Sequence, residues 1–88
     1  MSEEQKKRKF LKKYKLTIAE YDEMIIKQQG KCTICGEQPD KICIDHDHKT
    51  GKVRGILCSN CNSGLGFFKD NTYKLLAAID YLKVHSIS

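Results

Sequence analysis

The spacing of apolar residues predicts helices towards both ends of the chain. From residue 17 onwards, apolar side chains recur at helical spacing, namely Ile18, Tyr21, Met24 and Ile25. Thr17 and Glu20 form a capping-box pattern at the start of this helix, and Gly30 is a suitable stop. A last helix is predicted over residues 72–85, with these side chains facing a core: Leu75, Leu76, Ile79, Tyr81 and Leu82.

The middle of the chain predicts a hairpin followed by a short helix. An apolar run in residues 41–45 indicates one strand, and residues 53–57 indicate the returning strand. The intervening residues 49–52 are turn-like, with Gly51 suited to a positive φ. A helix is then expected from Cys58 to about Phe68.

Residues 1–15 form a basic segment, which we interpret as an N-terminal arm or helix. This segment holds seven basic and two acidic residues, whereas the remaining residues are balanced, so it carries the whole formal charge of +5. Such a concentration indicates a polyanion partner, although a solvated helical face is the alternative. The basic residues available for phosphate contacts are Lys6, Lys7, Arg8, Lys9, Lys12, Lys13 and Lys15.

The length of 88 residues predicts one small domain over residues 1–88. A domain of this size buries a limited core, so a metal clip is physically useful. The sequence contains no apolar run of about 18 residues, which argues against a membrane partner. No signal peptide is recognised, so we expect a reducing cytoplasm.

Four cysteines have the spacing of a structural zinc site. The pairs Cys32/Cys35 and Cys58/Cys61 each enclose two residues, and 22 residues separate them. Two such pairs let four thiolates reach one Zn²⁺ in a tetrahedron. The alternatives are a disulfide framework or cysteines that only pack, and a reducing compartment disfavours the first. We therefore expect a zinc-clamped core over residues 32–68, with Cys43 as a small core residue outside it.

Three residues around this clamp can supply the chemistry of phosphodiester hydrolysis. A hard divalent ion prefers oxygen ligands, which Asp45 and Asn62 offer. Such an ion stabilises the charge on the phosphate and on the leaving oxygen. The imidazole of His46 can activate water, because its pKa lies near the operating pH. Adjacent strand residues face opposite sides, so Asp45 and His46 can serve one phosphate only if the strand ends or bulges there.

Other side chains near this trio have both a functional and a structural interpretation. His48 can be an extra ligand or a contact to the scissile phosphate, or else a loop histidine with a hydrogen-bonding role. Lys52 and Arg54 can hold DNA phosphates, Arg54 through a bidentate fork. Their alternative is a solvated strand edge.

The central motifs resemble the recombination endonuclease VII group of HNH nucleases. The similar residues are the two cysteine pairs, Asp-His-Asp-His at 45–48, Gly-Lys-Val-Arg-Gly-Ile-Leu at 51–57 and Cys-Asn at 61–62. This resemblance covers about residues 14–70. It implies a small zinc-stabilised α+β domain with a ββα-metal (HNH, or His-Me finger) hairpin-helix core and flanking helices. The chain departs from the junction-resolving member at Leu65, where that member has an acidic residue, which leaves junction resolution open.

The resemblance implies a metal-dependent DNA endonuclease of a phage or mobile element. It assigns structural Zn²⁺ to the four cysteines, catalytic Mg²⁺ or Mn²⁺ to Asp45 and Asn62, and the role of general base to His46. The substrate is duplex or branched DNA, cut to leave 5′-phosphate ends, by a monomer or a homodimer. The alternative from another class is a zinc finger that binds nucleic acid without cutting it.

Overall fold

The computed structural model describes residues 2–86, so Met1 of the predicted arm and the last two residues of the predicted domain lie outside the described part. The fold is a small α+β arrangement with one two-stranded sheet. Its elements in chain order are α1 (Glu3–Lys12), α2 (Ile18–Gln28), β1 (Cys43–His46), β2 (Val53–Leu57), α3 (Ser59–Phe67) and α4 (Thr72–Ser86). Within residues 2–86, no helix has both the length and the apolar content that a bilayer crossing requires.

The basic N-terminal segment folds as helix α1. Its start is fixed by Ser2, whose Oγ accepts a hydrogen bond from the N–H of Gln5, while Gln5 Oε1 accepts one from the N–H of Ser2. This reciprocal capping satisfies backbone donors that have no partner inside the helix. The apolar side of α1 lies against α2 and buries Leu11 almost completely.

Helix α2 begins with the predicted capping box. Thr17 Oγ1 accepts from the N–H of Glu20 at 3.1 Å, and Glu20 Oε1 accepts from the N–H of Thr17 at 3.0 Å. The helix ends one residue before the predicted stop, because Gln29 already has a left-handed φ of 56° and Gly30 continues with 68°.

Strands β1 and β2 form the predicted antiparallel hairpin, but their register is not continuous. Asp45 pairs with Gly55 and His46 pairs with Val53, so Arg54 is an extra residue on β2. A bulge of this kind bends the strand and redirects side chains. Of the two irregularities that would let Asp45 and His46 serve one phosphate, a strand end or a bulge, the structure has a bulge. The hairpin turn is closed by Gly51, whose φ is 77°, as predicted.

The outer edge of β2 is covered by side chains from outside the sheet. The carboxamide of Gln28 accepts from the N–H of Ile56 at 3.1 Å and donates to its carbonyl at 3.2 Å. Thr33 Oγ1 donates to the same carbonyl. This close approach requires Gly55, because a Cβ there would lie 2.9 Å from Gln28 Oε1. The edge is thus protected from pairing with another strand.

Helix α4 has the predicted position, but the expectation that its apolar side chains face a core is wrong for this structure. Leu76, Ile79, Tyr81 and Leu82 are exposed, Leu82 to 66 %, and only Leu75 of the predicted set is half-buried. Helical periodicity identifies the side chains that share a face, but it does not determine whether another element covers that face. The buried apolar side chains of the described residues lie elsewhere, at Leu11, Cys32, Ile44, Ile56 and Leu57.

Candidate active site

The four predicted zinc ligands come together at one end of the hairpin. Their Sγ atoms all lie within 4.8 Å of one another, and those of Cys35 and Cys58 are 3.9 Å apart. A tetrahedral Zn²⁺ with Zn–S bonds of about 2.3 Å places its sulfur ligands about 3.8 Å apart. The cluster is therefore consistent with zinc binding, and the cysteines of residues 2–86 are free of disulfides.

Local backbone structure brings each cysteine pair to this cluster. After Cys32, the chain turns through a hydrogen bond from the N–H of Gly36 to the carbonyl of Cys32, and Gly36 has a φ of 74°. Cys58 is the N-cap residue of α3, where its Sγ accepts from the N–H of Cys61 at 3.4 Å. The turn after Cys32 therefore brings the sulfurs of Cys32 and Cys35 to the cluster, and the start of α3 brings those of Cys58 and Cys61.

The crowding of four thiols separates their pKa values. Burial raises the pKa of the Cys32 thiol, but the backbone N–H groups of Cys35 and Cys58 outweigh burial and lower this pKa to about 6. The hydrogen bond between the Cys61 and Cys58 side chains, together with burial, raises the pKa of Cys61 to about 12. One thiolate therefore opposes the ionisation of the next. A divalent cation removes this opposition and allows all four thiols to ionise as ligands.

Asp45 is buried beside the bulge, and both of its oxygens are held by Arg54. Arg54 Nε donates to Asp45 Oδ2 at 2.6 Å, and Arg54 Nη2 donates to Asp45 Oδ1 at 3.0 Å. The side chain of Asp45 is only 11 % exposed. Its hydrogen bonds are the main cause that raises the pKa of Arg54 above its usual value. The sequence interpretation of Arg54 as a phosphate contact did not anticipate this pair.

Asp70 joins the same cluster from the turn after α3. Its Oδ2 lies 3.3 Å from Arg54 Nη2 and 3.7 Å from His48 Nε2. Both Lys69 and Asp70 have left-handed backbones, with φ of 53° and 55°. This turn places Asp70 towards the hairpin. The sequence offered no signal for this contact, because Asp70 and Arg54 lie 16 positions apart.

His46 follows Asp45 at the bulge, and its ring lies near two other rings. Its ring centroid is 5.8 Å from that of Tyr14 and 5.2 Å from that of His48. Its Nδ1 is buried and has no hydrogen-bond partner among the described residues. A buried nitrogen without a hydrogen-bond partner lowers the stability of the fold, so its presence here calls for an explanation such as a function. Tyr14, at the end of the basic segment, is a neighbour that sequence reasoning missed.

Asn62 and the predicted DNA contacts are on the outside of the molecule. Asn62 lies in α3, which packs against β1, and its own side chain is exposed. Lys52 is also exposed. In α1, Lys7 pairs with Asp22 and Arg8 pairs with Glu4. Ion pairs within residues 2–86 therefore already occupy part of the predicted phosphate-binding set.

A cavity of about 490 Å³ lies next to His46 and joins the basic segment to the hairpin. Its lining residues are Lys13, Tyr14, Lys15, His46, His48 and Gly51. The ammonium group of Lys13 also lies 5.2 Å from the Tyr14 ring centroid. Two lysines, an aromatic ring and two imidazoles thus surround one space.

Comparison with known proteins identifies the family. The family model described as recombination endonuclease VII matches residues 7–84. The Gene 59 protein of Mycobacterium phage D29 is 43 % identical over 79 residues, covering 85 % of this chain and 48 % of the relative. The Gene 59 protein of Mycobacterium phage L5 is 41 % identical over 78 residues, with 84 % and 48 % covered. This chain spans about half the length of these relatives. It belongs to the recombination endonuclease VII family.

Proposed function

We propose that this chain is a metal-dependent DNA endonuclease of the HNH, ββα-metal type. The register shift between Asp45 and His46 carries this proposal. Consecutive residues of a regular strand point to opposite faces, so a bulge at this step supports a carboxylate and an imidazole that act on one phosphate. The order of β1, β2 and α3 matches a ββα unit, and the family match supports nuclease activity.

Asp45 and Asn62 are proposed to hold the catalytic Mg²⁺ or Mn²⁺, because carboxylate and amide oxygens suit a hard cation. The observation that supports a cation at this position is the buried carboxylate of Asp45, which already faces the positive charge of Arg54. When bound, the ion stabilises the charge of the phosphate and of the leaving oxygen. The four-cysteine cluster is proposed to hold Zn²⁺ as a structural ion.

His46 is proposed to act as the general base. A neutral imidazole accepts a proton from water at its unprotonated ring nitrogen. Because Nδ1 of His46 is buried, water must reach the ring through the cavity beside it. The rings of Tyr14 and His48 on either side restrict the orientation of the imidazole. His48, whose side chain is largely exposed, is proposed to donate a hydrogen bond to a phosphate oxygen.

Duplex or branched DNA is the proposed substrate, with its backbone beside the cavity that Lys13 and Lys15 share with His46. Phosphate contacts from these lysines give affinity without sequence information. Further proposed contacts are Lys6, Lys7, Arg8, Lys9, Lys12, Lys52 and Arg54. One site per chain nicks one strand, so a double-strand cut requires a homodimer or two separate events.

The proposal is tested by the conversion of supercoiled plasmid to open circles by zinc-loaded protein. Activity is expected with Mg²⁺ or Mn²⁺ and not when the added metal is omitted, since a chelator would also remove zinc. His46→Ala should lower the rate by about 10²–10⁴-fold, the usual contribution of a general base. The matched control is His85→Ala on α4, which should cut like wild type. Early linear product would indicate paired sites.

A second candidate is a zinc module that binds nucleic acid without cutting it. The observation that favours this alternative is the Asp45–Arg54 pair, because a neutralised carboxylate requires no metal. The plasmid assay separates the two functions. DNA binding without cutting in either metal would support the module and reject the endonuclease. Equal cutting by wild type and His46→Ala would instead reject His46 as the general base.

A further inference from the structure

Arg54 occupies the same two oxygens that a metal ion would need at Asp45. The two donor–acceptor distances, 2.6 and 3.0 Å, describe a bidentate guanidinium–carboxylate pair. Bidentate pairs of this kind are among the stronger hydrogen-bonded contacts in proteins. With its side chain 11 % exposed, Asp45 has little room for a second cation while Arg54 is in place.

The bulge explains why Arg54 can reach Asp45. On a regular β2, residue 54 would pair within the ladder and point away from the face that Gly55 shares with Asp45. Because residue 54 is the extra residue of the bulge, its side chain is redirected towards the carboxylate. The irregularity beside Asp45 and His46 therefore also delivers the competing cation.

Asp70 provides Arg54 with a second acceptor away from Asp45. Its Oδ2 is 3.3 Å from Arg54 Nη2, the same nitrogen that donates to Asp45 Oδ1. The guanidinium carries further N–H groups that can turn to Asp70. The side chain of Arg54 is 38 % exposed, so it has space to move outwards. Two carboxylates thus share one arginine at the edge of the site.

We propose that Arg54 and the catalytic metal ion alternate at Asp45, and that Asp70 draws Arg54 away when the metal binds. Arg54 is then a positioning residue that holds the carboxylate of Asp45 in place before metal binding. The apparent affinity for the metal is then the intrinsic affinity multiplied by the fraction of molecules in which Arg54 has left the carboxylate of Asp45. This inference rests on the proposed function, because it requires that Asp45 bind the metal.

The test is Mn²⁺ binding to zinc-loaded protein without DNA, measured by the loss of the free-ion signal in electron paramagnetic resonance. If Arg54 leaves Asp45 free in about a tenth of the molecules, Arg54→Gln should bind Mn²⁺ about tenfold more tightly. A merely structural role for Arg54 would weaken binding, because its loss would leave a buried carboxylate disordered. The direction of the change therefore separates the two roles.

Two variants separate direct competition from a general charge effect. Lys69→Gln removes a positive charge from the surface cavity that Lys69 lines together with Arg54 and Asp70. It should change the Mn²⁺ affinity by less than about twofold, because exposed charges are screened. Arg54→Lys retains the charge but loses the bidentate geometry, and should gain part of the affinity. Equal gains in Arg54→Gln and Lys69→Gln would overturn the inference.

The role of Asp70 is tested by a double-mutant cycle. Asp70→Asn should weaken Mn²⁺ binding in the wild-type background, because Arg54 then has only Asp45 as a carboxylate partner. In the Arg54→Gln background the same change should have no effect, since Asp70 acts through Arg54. Weakening of similar size in both backgrounds would make Asp70 a direct ligand and would overturn its assigned role.

Asp45→Asn distinguishes failure of this inference from failure of the proposed function. This variant should lose Mn²⁺ binding in every background. If it does, and Arg54→Gln binds no more tightly than wild type, the inference is wrong and the metal site at Asp45 remains. If Asp45→Asn binds Mn²⁺ like wild type, or no variant binds it, both the alternation and the proposed metal site fail.

Discussion

The hairpin and helix α4 both carry regularly spaced apolar side chains, but only the hairpin buries them. Ile56 of β2 is fully buried, whereas Ile79 and Leu82 of α4 are 46 % and 66 % exposed. The hairpin lies between the two cysteine pairs, and α4 lies outside them. Proximity to the four-cysteine cluster, rather than apolar periodicity, therefore distinguishes the packed hairpin from the exposed helix α4.

The physical reason is the small core of this chain. Few apolar side chains of residues 2–86 are buried, and three of the five lie in the hairpin strands, at Ile44, Ile56 and Leu57. Structural zinc in small domains supplies about 10–16 kcal/mol of apparent binding free energy, which is coupled to folding. A zinc ion held by the four cysteines would thus stabilise the hairpin in a domain whose core alone gives marginal stability.

The largest effect is expected from Cys58→Ser, which removes one thiolate from the cluster. A serine at the N-cap of α3 can still accept the helix N–H groups, so the change isolates the loss of the metal ligand. We expect loss of bound zinc and of the cooperative unfolding transition, measured by zinc content and by circular dichroism during heating. Cys43→Ser, which lies outside the cluster, should retain both. One bound zinc ion per molecule of Cys58→Ser would contradict the proposal that the four cysteines hold a structural zinc ion.

Paired alanine substitutions in the hairpin and in α4 test this difference in packing next. Ile56→Ala should lower the free energy of unfolding by about 2–5 kcal/mol, because it opens a cavity in the packed hairpin. Leu82→Ala should change it by less than about 0.5 kcal/mol, as for an exposed site. Both are measured by denaturant unfolding of zinc-loaded protein. An equal loss at Leu82 would mean that the apolar face of α4 is covered in solution.

The contact between α2 and the hairpin should have an intermediate effect. Gln28→Ala removes both hydrogen bonds to the backbone of Ile56 and leaves its N–H without a protein partner, whereas Thr33 still donates to its carbonyl. We expect a loss of about 1–3 kcal/mol in the free energy of unfolding, the usual cost of an unsatisfied part-buried group. Lys27→Ala on the exposed side of the same helix is the control for helix propensity. If both variants unfold at the same denaturant concentration, Gln28 does not join α2 to β2.

Sequence reasoning succeeded where the signal is local. The cysteine spacing, the capping box at Thr17 and the bounds of β2 depend on residues within a few positions of one another. The condition that the strand end or bulge after Asp45, if Asp45 and His46 serve one phosphate, also followed from strand geometry alone. These features require no knowledge of how distant segments pack.

The remaining features depend on contacts between distant residues, which a single sequence does not encode visibly. Gln28 reaches Ile56 across 28 positions, and Asp70 reaches Arg54 across 16 positions. Both are polar side chains that look like ordinary surface residues. The exposure of α4 has the same origin, because periodicity cannot reveal whether a partner is present. Asn62 as a metal ligand stays a prediction.

The smallest effect concerns the hairpin turn, which is stabilised by the carboxylate of Asp47. The N–H groups of Thr50 and Lys49 donate to its Oδ1 and hold the pKa of Asp47 below its usual value. A lowered pKa in the folded state means that this stabilisation is complete above the unfolded pKa of about 3.9 and is lost as the pH falls through the folded value. NMR titration of the Asp47 carboxyl carbon should show a midpoint below that of the unfolded chain. Asp47→Asn is the matched variant, because its side-chain carbonyl accepts the same bonds without titrating. It should therefore lose less stability than wild type below about pH 4. If acid destabilises the two proteins equally, the charge of Asp47 does not stabilise the turn, and the hairpin depends on the clamp and on its buried ladder.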